Sequence, residues 1–105
     1  MNTKKSQMEG AKVVILGIGV DQTLVDKLVD EINSAVGSDL ARRCTGTPNN
    51  VLAMANKYGV EQVLFYGERE LGNGTVTVRD MRPRTQYEIP KDSLARYIAA
   101  CYKDK

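Results

Sequence analysis

Arginines are concentrated in one short stretch of the chain: Arg69, Arg79, Arg82 and Arg84. A planar guanidinium group binds phosphate through two parallel hydrogen bonds, reaches the edges of nucleic-acid bases and stacks on their rings. Carboxylates interleaved with these arginines lower the local positive charge: Glu68, Glu70 and Asp80. The stretch is a candidate surface for RNA, although a charge cluster of this size is also typical of an ordinary solvated face.

The residues most often used in catalysis and metal binding are scarce. The chain has no histidine, and its two cysteines, Cys44 and Cys101, lie far apart in the sequence. This composition excludes Ser-His and Cys-His nucleophiles and predicts neither a zinc cluster nor a disulfide framework. The Gly-Ile-Gly turn at 17–19 fails the dinucleotide-binding fingerprint, because Gln22 stands in place of its third glycine. We therefore expect no catalytic residue, no metal and no cofactor.

Composition predicts one small globular domain. The chain has 105 residues, of which 42% are hydrophobic and 27% charged, and its net charge of +2 permits contact with RNA without demonstrating it. Residues 1–10 are polar and lack periodicity, so we expect a flexible lead or linker there and the domain itself over 11–105. Neither a secretory signal nor an apolar run of roughly 20 residues is present, which predicts a cytoplasmic protein without a membrane partner.

Hydrophobic periodicity predicts alternating strands and helices. The β-branched run 13–16 is typical of a buried central strand, and the apolar stripe after it predicts a helix that begins after Asp21 and ends at Gly37. Residues 38–44 are polar enough for a strand near a sheet edge.

A second helix and a third strand follow. Thr47 is a suitable N-cap before Pro48, and Gly59 ends the apolar stripe of this helix. The apolar run 62–66 predicts a strand, and the helical crossovers favour parallel pairing of the strands.

The pattern changes after Gly67 to that of an antiparallel hairpin. Residues 75–79 and 86–89 alternate between polar and apolar types, with a turn at 82–84, whereas 68–74 predict a solvated loop and a tight Asn-Gly turn. A final helix, capped by Asp92 or Ser93, completes an α/β fold: a five-stranded mixed sheet, parallel βαβαβ followed by an antiparallel hairpin, flanked by three helices.

Alternation in the fourth strand also orients Arg79. If Val76 and Val78 face the core, Arg79 points outward. Core packing accounts for most of the tyrosines, and only a tyrosine exposed beside Arg79 would form a platform on which bases stack.

The segment from Tyr66 to Asp80 resembles a known signature. Its residues match the pattern G-x-x-E-x-x-x-G-x-V-x-V-[KR] of the anticodon-binding domain of class IIa aminoacyl-tRNA synthetases. Within that group the helix end 55–59 and the strand 75–80 are most similar to the histidyl enzymes, with the threonyl, prolyl and glycyl enzymes as competitors. The resemblance implies a domain that binds the anticodon stem-loop of a tRNA, a role in protein biosynthesis, and RNA contacts by Glu70 and Arg79.

Further RNA-binding residues are expected beside this pair: Arg69, Arg82, Arg42 and Arg43. The last two lie in 37–50, where the sequence departs from the family pattern. The resemblance also implies that catalysis resides in a separate synthetase domain, so we expect no aminoacylation by this chain alone. The alternative is a free-standing, synthetase-derived module for protein interaction or homodimerisation.

Overall fold

The computed structural model describes residues 10–102. Its elements in chain order are β1 (Val13–Ile18), α1 (Gln22–Val36), β2 (Ala41–Cys44), α2 (Pro48–Tyr58), β3 (Gln62–Gly67), α3 (Glu68–Asn73), β4 (Thr75–Asp80), β5 (Thr85–Pro90) and α4 (Lys91–Tyr102). The five strands form one sheet in the order β2-β1-β3-β4-β5. Pairing is parallel among the first three strands and antiparallel from β3 to β5. The predicted fold class is confirmed, whereas the predicted lead lies outside the described residues apart from Gly10.

The residues predicted to begin and end the first two long helices lie at the ends of those helices in the structure. Asp21 accepts a hydrogen bond from the Thr23 backbone N–H at 3.0 Å, and Gly37 ends α1 in the left-handed region with φ of 85°. Thr47 caps α2, with Pro48 in the first turn and a left-handed Gly59 at the end. These ends are encoded locally, because each side chain or glycine satisfies backbone groups of its own helix.

The prediction for residues 68–74 was wrong. They form the short helix α3, so residues 10–102 contain four helices, one more than predicted. The Glu70 carboxylate accepts a hydrogen bond from the Gly67 backbone N–H at 3.0 Å, and Gly74 ends the helix with φ of 71°. The first of these contacts stabilises the start of a helix whose sequence has no apolar period to predict it. Helix α4 likewise begins before either predicted cap, at Lys91 directly after Pro90.

The two faces of the sheet are covered unequally. Helices α1 and α4 cover one face, where the buried residues of the larger cluster include Ile15, Leu64 and Val78. Helix α2 covers the other face through Val51 and Ala55, which pack with buried residues of β1, β2 and β3. On that second face β4 and β5 contribute no buried member to the cluster. The polar side chains of the hairpin are therefore left beside α2 rather than beneath it.

Candidate nucleic-acid interface

Register places five side chains of β3, β4 and β5 on the surface that α2 leaves uncovered. Phe65 pairs with Thr77, Thr77 with Glu88, and Arg79 with Gln86. Directly paired residues of neighbouring strands point to the same side of a sheet, and so do alternate residues of one strand. We use the name open face for these five residues: Phe65, Thr77, Arg79, Gln86 and Glu88.

Glu70 lies at the edge of the open face and is buried, with 8% of its surface exposed. Its Oε2 accepts the Thr77 hydroxyl at 2.7 Å and a guanidinium N–H of Arg69 at 3.1 Å, while its Oε1 accepts the Gly67 N–H. Burial by itself raises the pKa of the carboxyl, but the hydrogen bonds from Thr77 and Gly67, together with Arg69, outweigh it and hold the pKa below its usual value. The carboxylate therefore stays charged and is bound from within the protein, which contradicts its predicted place in a solvated loop.

Arg69 is held between two carboxylates. Its Nη2 lies 3.1 Å from Glu70 and 2.8 Å from Glu88, and Glu88 also accepts the Thr75 hydroxyl at 3.2 Å. The hydrogen bond and charge of Glu88, followed by the charge of Glu70, raise the pKa of the guanidinium further above its usual value. The trio of Arg69, Glu70 and Glu88 carries a formal charge of one negative unit, which does not favour a phosphate at this point.

Arg79 has the opposite surroundings. Its Nη1 donates to Gln86 Oε1 at 3.4 Å, and its buried Nε has no hydrogen-bond partner within residues 10–102. A buried N–H without an acceptor is costly, so Arg79 is the arginine of this region whose hydrogen-bonding capacity is not satisfied within residues 10–102.

Arg79 lines a groove that is positively charged, which we call the basic groove. It has a volume of about 450 Å³ and lies between α2 and the turn after β4. Three arginines line it, namely Arg79, Arg82 and Arg84, together with Leu52, Ala53, Asn56 and Met81. Because no carboxylate is among these lining residues, the basic groove suits phosphate groups.

A second, smaller groove adjoins the first at Leu52, and we call it the aromatic groove. Its volume is about 250 Å³. It is lined by apolar and aromatic side chains and by polar ones, the full set being Ile18, Pro48, Leu52, Phe65, Arg69, Glu70, Thr77 and Gln86. Apolar walls with a few convergent polar groups are typical of a site for a small planar ligand.

The structure brings four of the six predicted RNA-binding residues to this region and separates the other two from it. Arg43 shares a face with Ala41 on the α1 side of the sheet, where its Nη1 lies 3.4 Å from the carboxylate of Asp26. Arg42 belongs to the edge strand β2, and its Nη2 lies 3.8 Å from the carboxylate of Asp39. Strands β1 and β3 lie between Arg42 and the hairpin. One RNA loop on the open face would not contact Arg43.

Phe65 and Gln86 were not predicted from the sequence as site residues. Phe65 is half-buried and directed to the open face because it alternates with Leu64 and Tyr66, a signal that was available in the sequence. None of the tyrosines lines either groove. Tyr87, for example, pairs with Val78 on the opposite face and packs edge-on against Tyr97 at 6.1 Å between ring centres. The aromatic side chain at the site is therefore phenylalanine and not tyrosine.

Two further features are absent from residues 10–102. No group of three or more histidine, cysteine, aspartate or glutamate side chains there could hold a metal ion. Nor does that part of the chain have a helix with the length and apolar character needed to cross a membrane.

An α/β domain that presents arginines and an aromatic ring on an uncovered sheet face defines a candidate RNA-binding domain. The chain belongs to the anticodon binding domain family, whose profile matches residues 12–100.

The individual proteins to which the chain is similar include histidine–tRNA ligases. The chain is 26% identical to histidine–tRNA ligase 1 of Bacillus cereus over 99 residues. This match covers 93% of the chain and 23% of that protein. It is 39% identical over 49 residues to histidine–tRNA ligase of Pyrococcus furiosus, covering 47% of the chain and 11% of that protein. The chain thus spans about a quarter or less of these curated relatives. A histidyl-tRNA synthetase from Nostoc sp. PCC 7120 shares the fold, with a TM-score of 0.70 at 19% identity over 88% of this chain and 22% of that one.

Proposed function

We propose that this domain binds the anticodon loop of a tRNA on its open face and serves as the recognition domain of a histidyl-tRNA synthetase. The observation that carries the proposal is the pair of adjoining grooves on the uncovered sheet face, one lined by three arginines and the other by Phe65 and Gln86. Membership of the anticodon binding domain family supports it.

The two grooves suit different parts of a single-stranded loop. Phosphates fit the basic groove, where Arg79, Arg82 and Arg84 supply charge-assisted hydrogen bonds. An unstacked base fits the aromatic groove, where Phe65 offers a ring and Gln86 a carboxamide. Affinity would come mainly from the first groove and sequence preference from the second.

The neighbouring residues Glu70 and Arg69 act less directly in this scheme. Glu70 uses its oxygens within the protein, so its part is to hold α3 and the Arg69 guanidinium against the open face. Arg69 retains N–H donors at the rim of the aromatic groove, although the paired carboxylates neutralise its charge. Catalysis belongs to a separate domain, and the compartment is the cytoplasm, where tRNA is charged.

Fluorescence anisotropy with the anticodon stem-loop of histidine tRNA tests the proposal. We expect salt-sensitive binding between about 50 and 200 mM salt, with a preference over a non-cognate stem-loop that persists at the higher concentration. Arg79→Ala should weaken binding by roughly 5- to 160-fold, the range for loss of a contact worth about 1–3 kcal/mol.

Arg96→Ala is the matched control. Arg96 is exposed on α4, on the opposite side of the sheet, and its replacement removes the same charge. Equal losses from the two variants would reduce the effect to net charge and contradict recognition on the open face.

One observation favours a second candidate function, a module for homodimerisation or protein interaction. Among residues 10–102, two large hydrophobic side chains are exposed, Ile18 at 43% and Leu71 at 45%. Size-exclusion chromatography with light scattering tests it: a stable dimer that Ile18→Ser dissociates and that binds no stem-loop would replace the anticodon-binding function.

A further inference from the structure

Asp80 lies at the base of the hairpin loop that joins β4 and β5. Its pairing with Thr85 is the last pairing between these strands, so residues 81–84 form the loop. Two of the loop residues, Arg82 and Arg84, line the basic groove. On the other side of the loop Arg82 also lines a cavity of about 210 Å³ that it shares with Asp80. The aspartate is therefore next to the segment that supplies two of the three arginines of the basic groove.

Both oxygens of the Asp80 carboxylate accept hydrogen bonds from neighbouring strands. Gln62 Nε2 donates to Oδ1 at 2.8 Å, and the Tyr87 hydroxyl donates to Oδ2 at 2.9 Å. Gln62 lies on β3 and Tyr87 on β5, so the carboxylate connects β4 to the strand on each side of it. Gln62 is buried, and Tyr87 packs against the core cluster beneath α1 and α4. These contacts therefore lie on the face opposite the open face.

Two tyrosines of α4 extend this set of hydrogen bonds. The Tyr102 hydroxyl donates to Gln62 Oε1 at 3.1 Å, and the hydroxyl of Tyr97 is hydrogen-bonded to that of Tyr87. Burial raises the pKa of Tyr87 and of Tyr102 above the usual value, so both hydroxyls keep their protons and can donate. We call these five residues the polar clamp: Gln62, Asp80, Tyr87, Tyr97 and Tyr102.

The backbone of the loop has a conformation that must be held from outside. Arg84 has φ of 60°, and it is the one non-glycine residue with positive φ among residues 10–102. This conformation is unfavourable for a residue with a Cβ and persists where the surrounding structure imposes it. The side chains of Arg82 and Arg84 are exposed, so their own packing does not impose it. The loop is held at its base, where the Met81 N–H donates to Glu61 O at 2.9 Å and Asp80 is fixed by the polar clamp.

We propose that Asp80 is a positioning residue for RNA binding, which through the polar clamp holds the hairpin loop so that Arg82 and Arg84 are directed into the basic groove. The inference rests on the proposed function, since these arginines are the groups that would meet phosphate. A loop that is already ordered loses less conformational freedom when a ligand binds, so its contacts form at a lower entropic cost. Asp80 thus favours the binding of a polyanion although its own charge opposes it.

Position and charge predict opposite effects of Asp80→Ala. Loss of a negative charge beside the basic groove would by itself strengthen RNA binding. Loss of the positioning contacts should instead weaken it by about 2- to 13-fold, the ratio that corresponds to ordering one long side chain on binding. Asp80→Asn removes the same charge, but its carboxamide can accept from Gln62 and donate to the Tyr87 hydroxyl. We therefore expect Asp80→Asn to bind at least as tightly as the wild type.

The test is fluorescence anisotropy with the anticodon stem-loop of histidine tRNA at about 50 mM salt, where affinity is highest. Each Asp80 variant is measured in the wild-type chain and in a chain that carries Arg82→Ala and Arg84→Ala. In the second background Asp80→Ala should no longer weaken binding, because the groups that it positions are gone. A general loss of stability would weaken binding equally in both backgrounds, so this comparison separates a positioning role from a merely structural one.

Two further variants complete the design. Tyr87→Phe removes one hydroxyl of the polar clamp and no charge, so it should weaken binding in the wild-type background alone. Asp92→Ala is the matched charge control, because Asp92 is exposed on α4 at the opposite end of β5 from the loop, and it should not weaken binding. Backbone order parameters of residues 81–84 from ¹⁵N relaxation should fall from about 0.85 in the wild type to below about 0.6 in Asp80→Ala.

The outcomes distinguish the inference from the function beneath it. If Asp80→Ala binds as tightly as the wild type or more tightly, or weakens binding equally in the two backgrounds, the positioning role is overturned while anticodon binding stands. If Asp80→Ala does not fold, Tyr87→Phe decides in its place, and unchanged binding by that variant overturns the positioning role. Failure of the wild type to bind the stem-loop overturns the proposed function and the inference together.

Discussion

Replacement of Glu70 by alanine should destabilise the domain strongly, although the residue lies in a short helix at the sheet edge. The carboxylate accepts hydrogen bonds from the Gly67 backbone N–H, the Thr77 hydroxyl and the Arg69 guanidinium. Gly67 and Thr77 are buried, so in Glu70→Ala their donors lose an acceptor at a place that water reaches poorly. The variant therefore tests whether Glu70 has a structural role.

The magnitude follows from the two buried donors. A buried donor left without a partner costs about 1–3 kcal/mol. Arg69 is exposed and retains Glu88, so its loss adds little. We expect the free energy of unfolding to fall by about 3 kcal/mol, which for a domain of this size lowers the Tm by roughly 12–24 °C.

The assay is thermal unfolding followed by circular dichroism, with a urea titration for the free energy. Glu68→Ala is the matched control, because Glu68 belongs to the same helix turn but is exposed, and its replacement should change stability by no more than about 0.5 kcal/mol. Glu70→Gln keeps an oxygen for the Gly67 N–H and should fall between the two. If Glu70→Ala unfolds within about 2 °C of the wild type, the structural role assigned to the carboxylate is refuted.

The remaining predictions concern local packing, capping and titration. Gly17→Ala places a new Cβ 2.6 Å from Cγ2 of the buried Val25, so urea titration should show a loss of about 1–3 kcal/mol; an unchanged midpoint would contradict the packing. Thr47→Ala removes the α2 cap and should lower the free energy of unfolding by about 1 kcal/mol in the same assay. An unchanged urea midpoint would show that the cap does not stabilise the domain. Burial raises the pKa of Cys44 to about 11, so mass spectrometry should find it unalkylated by iodoacetamide until urea unfolds the chain. The folded pKa of Glu70 lies below its unfolded value of about 4.3, so its contribution is complete above that pH and is lost as the pH falls through the folded pKa. The urea midpoint of the wild type should therefore decline more steeply on acidification than that of Glu70→Gln, and parallel declines would contradict this.

The helices predicted with most success were those whose ends are chemically marked. Asp21, Gly37, Thr47 and Gly59 each act on backbone groups a few residues away, so their effect is visible in the sequence. Helix α3 was missed because its start depends on Glu70, whose carboxylate is held in place by Thr77 of a later strand as well as by Gly67.

The candidate site was predictable only in part. Alternation along β4 correctly predicted that Arg79 faces away from the valines, and the signature containing Glu70 and Arg79 indicated the family. Counting arginines could not show that Arg69 is paired with two carboxylates while Arg79 keeps a buried N–H without a partner. Those differences arise from residues brought together across strands, at separations that no local pattern records.

The amino-acid sequence by itself determined the order of the five strands and the three long helices, the outward direction of Arg79 and the family, because periodicity, caps and a short signature all act over a few residues. Tertiary structure alone decided where the site lies. Helix α2 packs over β1 and β3 and stops short of β4 and β5, and this placement leaves Phe65 and Gln86 beside Arg79 on the open face. The same packing separates Arg42 and Arg43 from that face, because a residue's neighbours across a sheet depend on strand order and register and not on its own type.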